Sequence, residues 1–128
     1  MREEAEQWWD QAIHDQETAD YLLSGGRLDA ASFFYQQAVE KALKAVYIHT
    51  KRESPGPTHS LTRLARECGL PDRFLAFLRR LTSEYYLSRY PDAVGDVSFE
   101  TYDTDDLKET SRASHEVLQW LEQQISKS

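Results

Sequence analysis

Residues 33 to 46 read FFYQQAVEKALKAV, and the reading of this stretch decides the fold. From about Asp29 to Thr50, the residues Ala31, Phe34, Ala38, Ala42 and Ala45 recur every three or four positions, which is the repeat of one helix face. Tyr35, Val39, Leu43 and Val46 make a second apolar line beside the first. Two lines on one helix mean packing on two sides, and small residues let a neighbouring backbone approach closely. The segment is therefore expected to be the central helix of an all-helical protein.

The polar residues of the same stretch are also ordered. At about 100 degrees per residue, Gln36, Glu40, Lys44 and Tyr47 fall in one narrow arc, with Phe33 and Gln37 at its margin. An exposed face seldom sets aromatic rings beside amides and an ion pair, and a buried face does not tolerate an unpaired lysine. The arc reads as a semi-buried contact with another helix, stable only when a second protein surface covers it. Glu40 and Lys44 also suit a plain i, i+4 pair, worth about 0.3–0.5 kcal/mol.

Working outward, Ala5, Trp8, Ala12, Ala19 and Leu22 predict a helix over residues 3–24 that Gly25-Gly26 terminates. Asp15 lies within its apolar stripe and needs a partner there; Lys41 on the next helix is the candidate. After the central helix, ESPGPTHS cannot continue as helix. Thr58 or Ser60 caps a short third helix through Cys68, which Gly69-Leu70-Pro71 stops. A fourth runs from Asp72 to about Arg89, where Pro91 ends it, and residues 91–103 form a loop. Asp103 or Thr104 caps a last helix whose buried stripe is Leu107, Ser111, Ser114, Leu118, Leu121 and Ile125. The expected fold is all-α: an up-and-down antiparallel bundle of four long helices plus one short helix, in a single domain over residues 1–128.

Composition bounds the function. The 128 residues are 40% hydrophobic and 29% charged, as in a soluble globular protein. No apolar run approaches the roughly 20 residues of a membrane span, and the start MREEAEQWWD lacks a signal peptide's layout, so a cytoplasmic location is expected. The net charge is -7, yet residues 51–90 carry eight basic and four acidic side chains, so an anionic ligand would be drawn there. A pI near 5.0 argues against a broad duplex DNA face. Cys68 is the only cysteine and reads as a small buried residue. No Glu-x-x-His pair and no Cys/His cluster occurs, so no metal is expected, and no glycine-rich phosphate loop implies a cofactor.

Four motifs carry a resemblance: the W-x2-A-x2-D spacing of Trp9, Ala12 and Asp15, the string QQAVEKALKA from Gln36, Thr58-His59-Ser60-Leu61, and Arg89-Tyr90-Pro91-Asp92. Together they span nearly the whole chain and resemble the HEPN domain family of prokaryotes, of the type associated with minimal nucleotidyltransferases. The resemblance implies a helical bundle that forms a homodimer, often encoded beside a minimal nucleotidyltransferase in toxin and antitoxin style pairs. It further implies nucleotide binding or, in many members, metal-independent ribonuclease activity. The ribonuclease signature is an Arg followed after four to six residues by a His, one ligating the phosphate and the other moving a proton. Arg89 matches the arginine; Val94, Gly95 and Asp96 stand where the histidine belongs.

Beside that resemblance, Arg89 at a helix end has a fork that suits Asp92 or a phosphate. Tyr86 and Tyr90, with Tyr85, suit stacking on a base, although tyrosines at a dimer seam are the commoner arrangement. His59 opens the short helix, where its ring suits a backbone bond or a phosphate. The expectation is a binding and regulatory module for a nucleotide or single-stranded RNA. A ribonuclease using Arg89 with a non-standard acid or base is the alternative.

Overall fold

The computed structural model describes residues 2–58, 60–84 and 102–126 in full and residues 85–89 by their backbone. Five α-helices follow in order: α1 Glu3–Ser24, α2 Leu28–Lys51, α3 Leu61–Glu67, α4 Leu75–Arg89 and α5 Thr104–Ser126, with one 3-10 turn at Asp72–Phe74 ahead of α4. No strand occurs among the described residues.

The ends of these helices follow from local chemistry. At the close of α1 the Gly26 amide donates to the Leu23 carbonyl (3.0 Å) and the Arg27 amide to the Leu22 carbonyl (2.9 Å), while Gly26 adopts φ 76°, a conformation that suits glycine. This turn reverses the chain within three residues and lays α2 antiparallel to α1. The Ser60 hydroxyl accepts from the Arg63 amide at the start of α3, and Asp103 Oδ1 accepts from the Asp105 amide (2.9 Å) at the start of α5. At the end of α2 the cap is Arg52, in the left-handed region at φ 59°.

α2 touches α1, α3, α4 and α5. Ala31, Ala38, Ala42 and Ala45 are all fully buried, so neighbouring helices close on its backbone, and Tyr35, Val39, Leu43 and Val46 fill the core beside them. Ser32, early in α2, meets Glu84, late in α4 (3.4 Å), so these two helices also run antiparallel. Asp20 on α1 meets Ser111 on α5, and Gln16 meets His115, which sets α5 antiparallel to α1. The result is an up-and-down bundle around α2, whose core also takes Leu64, Leu78, Leu81, Leu107, Val117 and Leu121.

Two details differ from the sequence reading. Phe34 is only partly buried, because α2 turns Tyr35 inward in its place; and on α5 Thr110, Ala113 and Val117 join the buried face while Ser111 and Ile125 sit at its edge. No helix among the described residues is long and apolar enough to cross a membrane.

Candidate functional site

The polar arc of α2 lies inside the chain. Gln36, Glu40 and Lys44 are only 2%, 4% and 8% exposed, with no second protein present. Gln36 Nε2 donates to Glu40 Oε1 (3.2 Å), Lys44 Nζ donates to Glu40 Oε2 (3.2 Å), and Gln37 Nε2 donates to Gln36 Oε1 (2.7 Å). Lys44 Nζ also stands 5.3 Å over the ring of Trp8 on α1, a cation–π contact that helps hold its charge away from water. This corrects the expectation that a second protein must cover the strip: the chain buries it unaided. Only the margin remains partly open, where Phe33, Gln37 and Tyr47 lie. Phe33 packs edge-on against Phe34 at 5.2 Å between ring centres, and Tyr47 donates to Glu53 Oε1 (3.3 Å).

The structure brings Asp15 and Lys41 together. Asp15 is 3% exposed, and Lys41 Nζ lies 2.6 Å from its Oδ2, while Gln11 Nε2 donates to its Oδ1 (2.9 Å). A carboxylate placed in the apolar stripe of α1 is thus answered from α2, as its burial requires.

A further polar cluster was not read from the sequence. Asp20 accepts hydrogen bonds from the Tyr35 and Ser111 hydroxyls, the latter at 3.0 Å, and its Oδ2 lies 2.8 Å from His115 Nε2. The other ring nitrogen of His115 is 2.8 Å from Gln16 Nε2, so both nitrogens are engaged. Burial, and then the Asp20 bond, push the Tyr35 hydroxyl well above its ordinary pKa. Gln16 Oε1 is buried without a partner in this cluster. The signal available in the sequence was the i, i+4 spacing of Ser111 and His115, but nothing in it pointed to Asp20.

The remaining sequence-predicted residues are placed unevenly. Arg89 is the last residue of α4 and Tyr86 lies in the same helix. Their side chains, and His59, Tyr90 and Asp92 entirely, fall outside the described residues. Among the described residues no group of three or more His, Cys, Asp or Glu side chains could hold a metal ion.

The profile of the HEPN domain matches residues 5–124. The chain belongs to the HEPN domain family. Its fold is similar to the crystal structure of ST0689, an archaeal HEPN homologue, at a TM-score of 0.78 and 33% identity over 98% of this chain and 99% of that one. It is also similar to the crystal structure of TT1696 from Thermus thermophilus, at a TM-score of 0.84 and 27% identity over 96% of this chain and 99% of that one. No functionally curated protein matches.

Two other groups of this HEPN domain are chemically distinctive. Cys68 donates from Sγ to the Leu43 carbonyl (3.3 Å), and burial pushes its thiol up to about 12, so it is no ready nucleophile. Glu84 accepts from Ser32 and lies 3.8 Å from Arg80 Nε, yet burial outweighs both and raises its pKa.

Proposed function

We propose that this HEPN domain is a homodimeric binding and regulatory module, the partner of a minimal nucleotidyltransferase in a toxin and antitoxin style pair, acting as a single cytoplasmic domain on a nucleotide or single-stranded RNA. The observation that carries this reading is an arginine without its histidine. Arg89 ends α4, where its charge suits the helix dipole and its fork suits a phosphate, but Val94, Gly95 and Asp96 occupy the positions of the proton-transferring imidazole. None of the three can replace an imidazole at neutral pH as a group that both takes and gives a proton. His115, in the α1–α5 cluster, has both ring nitrogens committed to Asp20 and Gln16. This reading gives Arg89 phosphate binding without cleavage, together with Tyr86, Tyr90, Asp92 and His59; a bond from Arg89 to Asp92 that merely stops the helix is the structural alternative. The partly open aromatic margin of Phe33 and Tyr47, beside Gln37, supports the pairing of two copies along α2.

Three measurements test the reading. Light scattering of the purified chain is expected to give twice the mass of one chain. The protein encoded by the adjoining reading frame is expected to be a nucleotidyltransferase and to co-purify with it. An RNA cleavage assay is expected to show none above background; cleavage that disappears in Arg89→Ala would establish the alternative, a ribonuclease in which Arg89 works with a different acid or base.

A further inference from the structure

Two hollows with a shared wall lie between the beginning of α4 and the outer face of α5. The first, of about 270 Å³, is lined by Arg73, Phe74, Phe77, Arg80, Glu109 and Arg112 among others. The second, of about 230 Å³, shares Arg73 and Phe74 and continues to Gln119, Trp120 and Gln123. They form one groove with cations at one end and an aromatic ring between amides at the other.

The charges in the groove are not equivalent. Arg112 donates to Glu109 and to Glu116, so it is spent on the two carboxylates that line the wall. Arg73 has no ion pair among the described residues, and Arg80 has only Glu84 at 3.8 Å, beyond hydrogen-bond reach. Both are instead held against rings: the Arg73 guanidinium lies 4.5 Å from the centre of Phe74, and that of Arg80 lies 5.5 Å from Phe77. A guanidinium stacked on a ring keeps its N–H edge available and has already lost much of its freedom, so binding an anion costs it little further ordering. The two arginines are seven residues apart, Arg73 in the 3-10 turn ahead of α4 and Arg80 in α4 itself, and both line the first hollow. Trp120 is half-buried at the far end, with Gln119 and Gln123 exposed on either side of it. A flat ring, flanking amides and two exposed guanidiniums, Arg73 without an ion pair among the described residues and Arg80 with only the long contact to Glu84, together recognise a planar heterocycle that carries phosphate.

We propose that this α4–α5 groove binds a nucleoside phosphate, free or within an RNA strand, with its phosphates at Arg73 and Arg80 and its base on Trp120. The assignment rests on the nucleotide-binding part of the function proposed above, but places the ligand about two and a half turns along α4 from Arg89.

The test is calorimetric titration of the full-length chain with ATP, with a short oligoadenylate and with inorganic triphosphate, the last having no base. Binding of ATP or of the oligoadenylate is expected to weaken at least tenfold in Arg73→Ala and in Arg80→Ala; which of the two binds more tightly tells free nucleotide from RNA. Trp120→Phe, which keeps a ring, is expected to retain most of the affinity, and Trp120→Leu to lose it for ATP but not for triphosphate. Should Trp120→Leu not fold, the two exposed arginines decide the matter. Unchanged affinity in both arginine variants overturns the proposal, and if Arg89→Ala then abolishes binding, nucleotide binding survives at a different place. Absence of any binding overturns the groove and the nucleotide reading together.

Discussion

Lys41 reaches from α2 to Asp15 on α1, its Nζ 2.6 Å from Oδ2, and the two side chains are unequally sheltered: 4% of Asp15 and 21% of Lys41 is exposed. Removing the lysine leaves a buried carboxylate with Gln11 as its nearest donor, whereas removing the aspartate leaves an ammonium that can turn toward water. Lys41→Ala is expected to lower stability by about 3 kcal/mol and Asp15→Ala by about 1–2 kcal/mol. The double variant should lose clearly less than the sum. Urea unfolding of the four proteins measures this, and additive losses would show that the pair is not coupled.

Tyr35 gives the fold a limit at alkaline pH. Its folded pKa is raised above the ordinary 10.0, chiefly by burial and then by Asp20, so the folded state holds the phenolic proton more tightly than the unfolded chain. The stability this provides is complete below pH 10 and is lost progressively above it. Tyr35→Phe is expected to cost about 1–2 kcal/mol at neutral pH, through the lost bond to Asp20. It should also flatten the decline of stability between pH 10 and 11, which thermal melts across that range would reveal.

Cys68 should be slow to alkylate. With its thiol pushed up to about 12 from an ordinary 9.0, the thiolate at pH 8 is on the order of a thousandfold scarcer than for a free thiol. Iodoacetamide labelling followed by mass spectrometry should therefore be far slower in the folded protein than in urea. Equal rates would mean that the Leu43 carbonyl and the helices around it do not shield the sulfur.

Glu84 acts in the opposite sense to a stabilising ion pair. Its pKa is raised above 4.5 by burial, more than Arg80 and Ser32 lower it, so the folded state favours the protonated acid. That contribution is fully present below pH 4.5 and is lost as the pH rises through the raised value. Glu84→Gln keeps an acceptor for Ser32 without the charge. It is expected to raise the melting temperature at pH 7 and to leave it unchanged at pH 4; a lower melting temperature at pH 7 would show that the Arg80 contact outweighs burial.

How far the sequence discloses this molecule depends on the range of each interaction. Helix ends are legible because two to four adjacent residues make them: Gly26 must supply a positive φ, Ser60 an acceptor for Arg63, Asp103 an acceptor for Asp105. The Asp15–Lys41 pair is legible because the short α1–α2 turn fixes how those helices face each other. The Asp20 cluster is not, since its partners Ser111 and His115 lie 91 and 95 residues away and meet it only once the rotation and axial offset of α5 are set. The polar arc of α2 falls between these cases. Periodicity reveals that Gln36, Glu40 and Lys44 need shelter, but a helix of the same chain and a helix of another satisfy the same pattern.

The three-residue link between α1 and α2 also orders events in time. In chain order this hairpin precedes α3, α4 and α5, so Lys41 can find Asp15, and Lys44 find Trp8, before those helices are made. Asp20 can take the Tyr35 hydroxyl at that stage but must wait for the rest, since its serine and imidazole partners arrive with the final helix. Docking of α5 therefore completes a socket that α1 holds open until that later helix arrives.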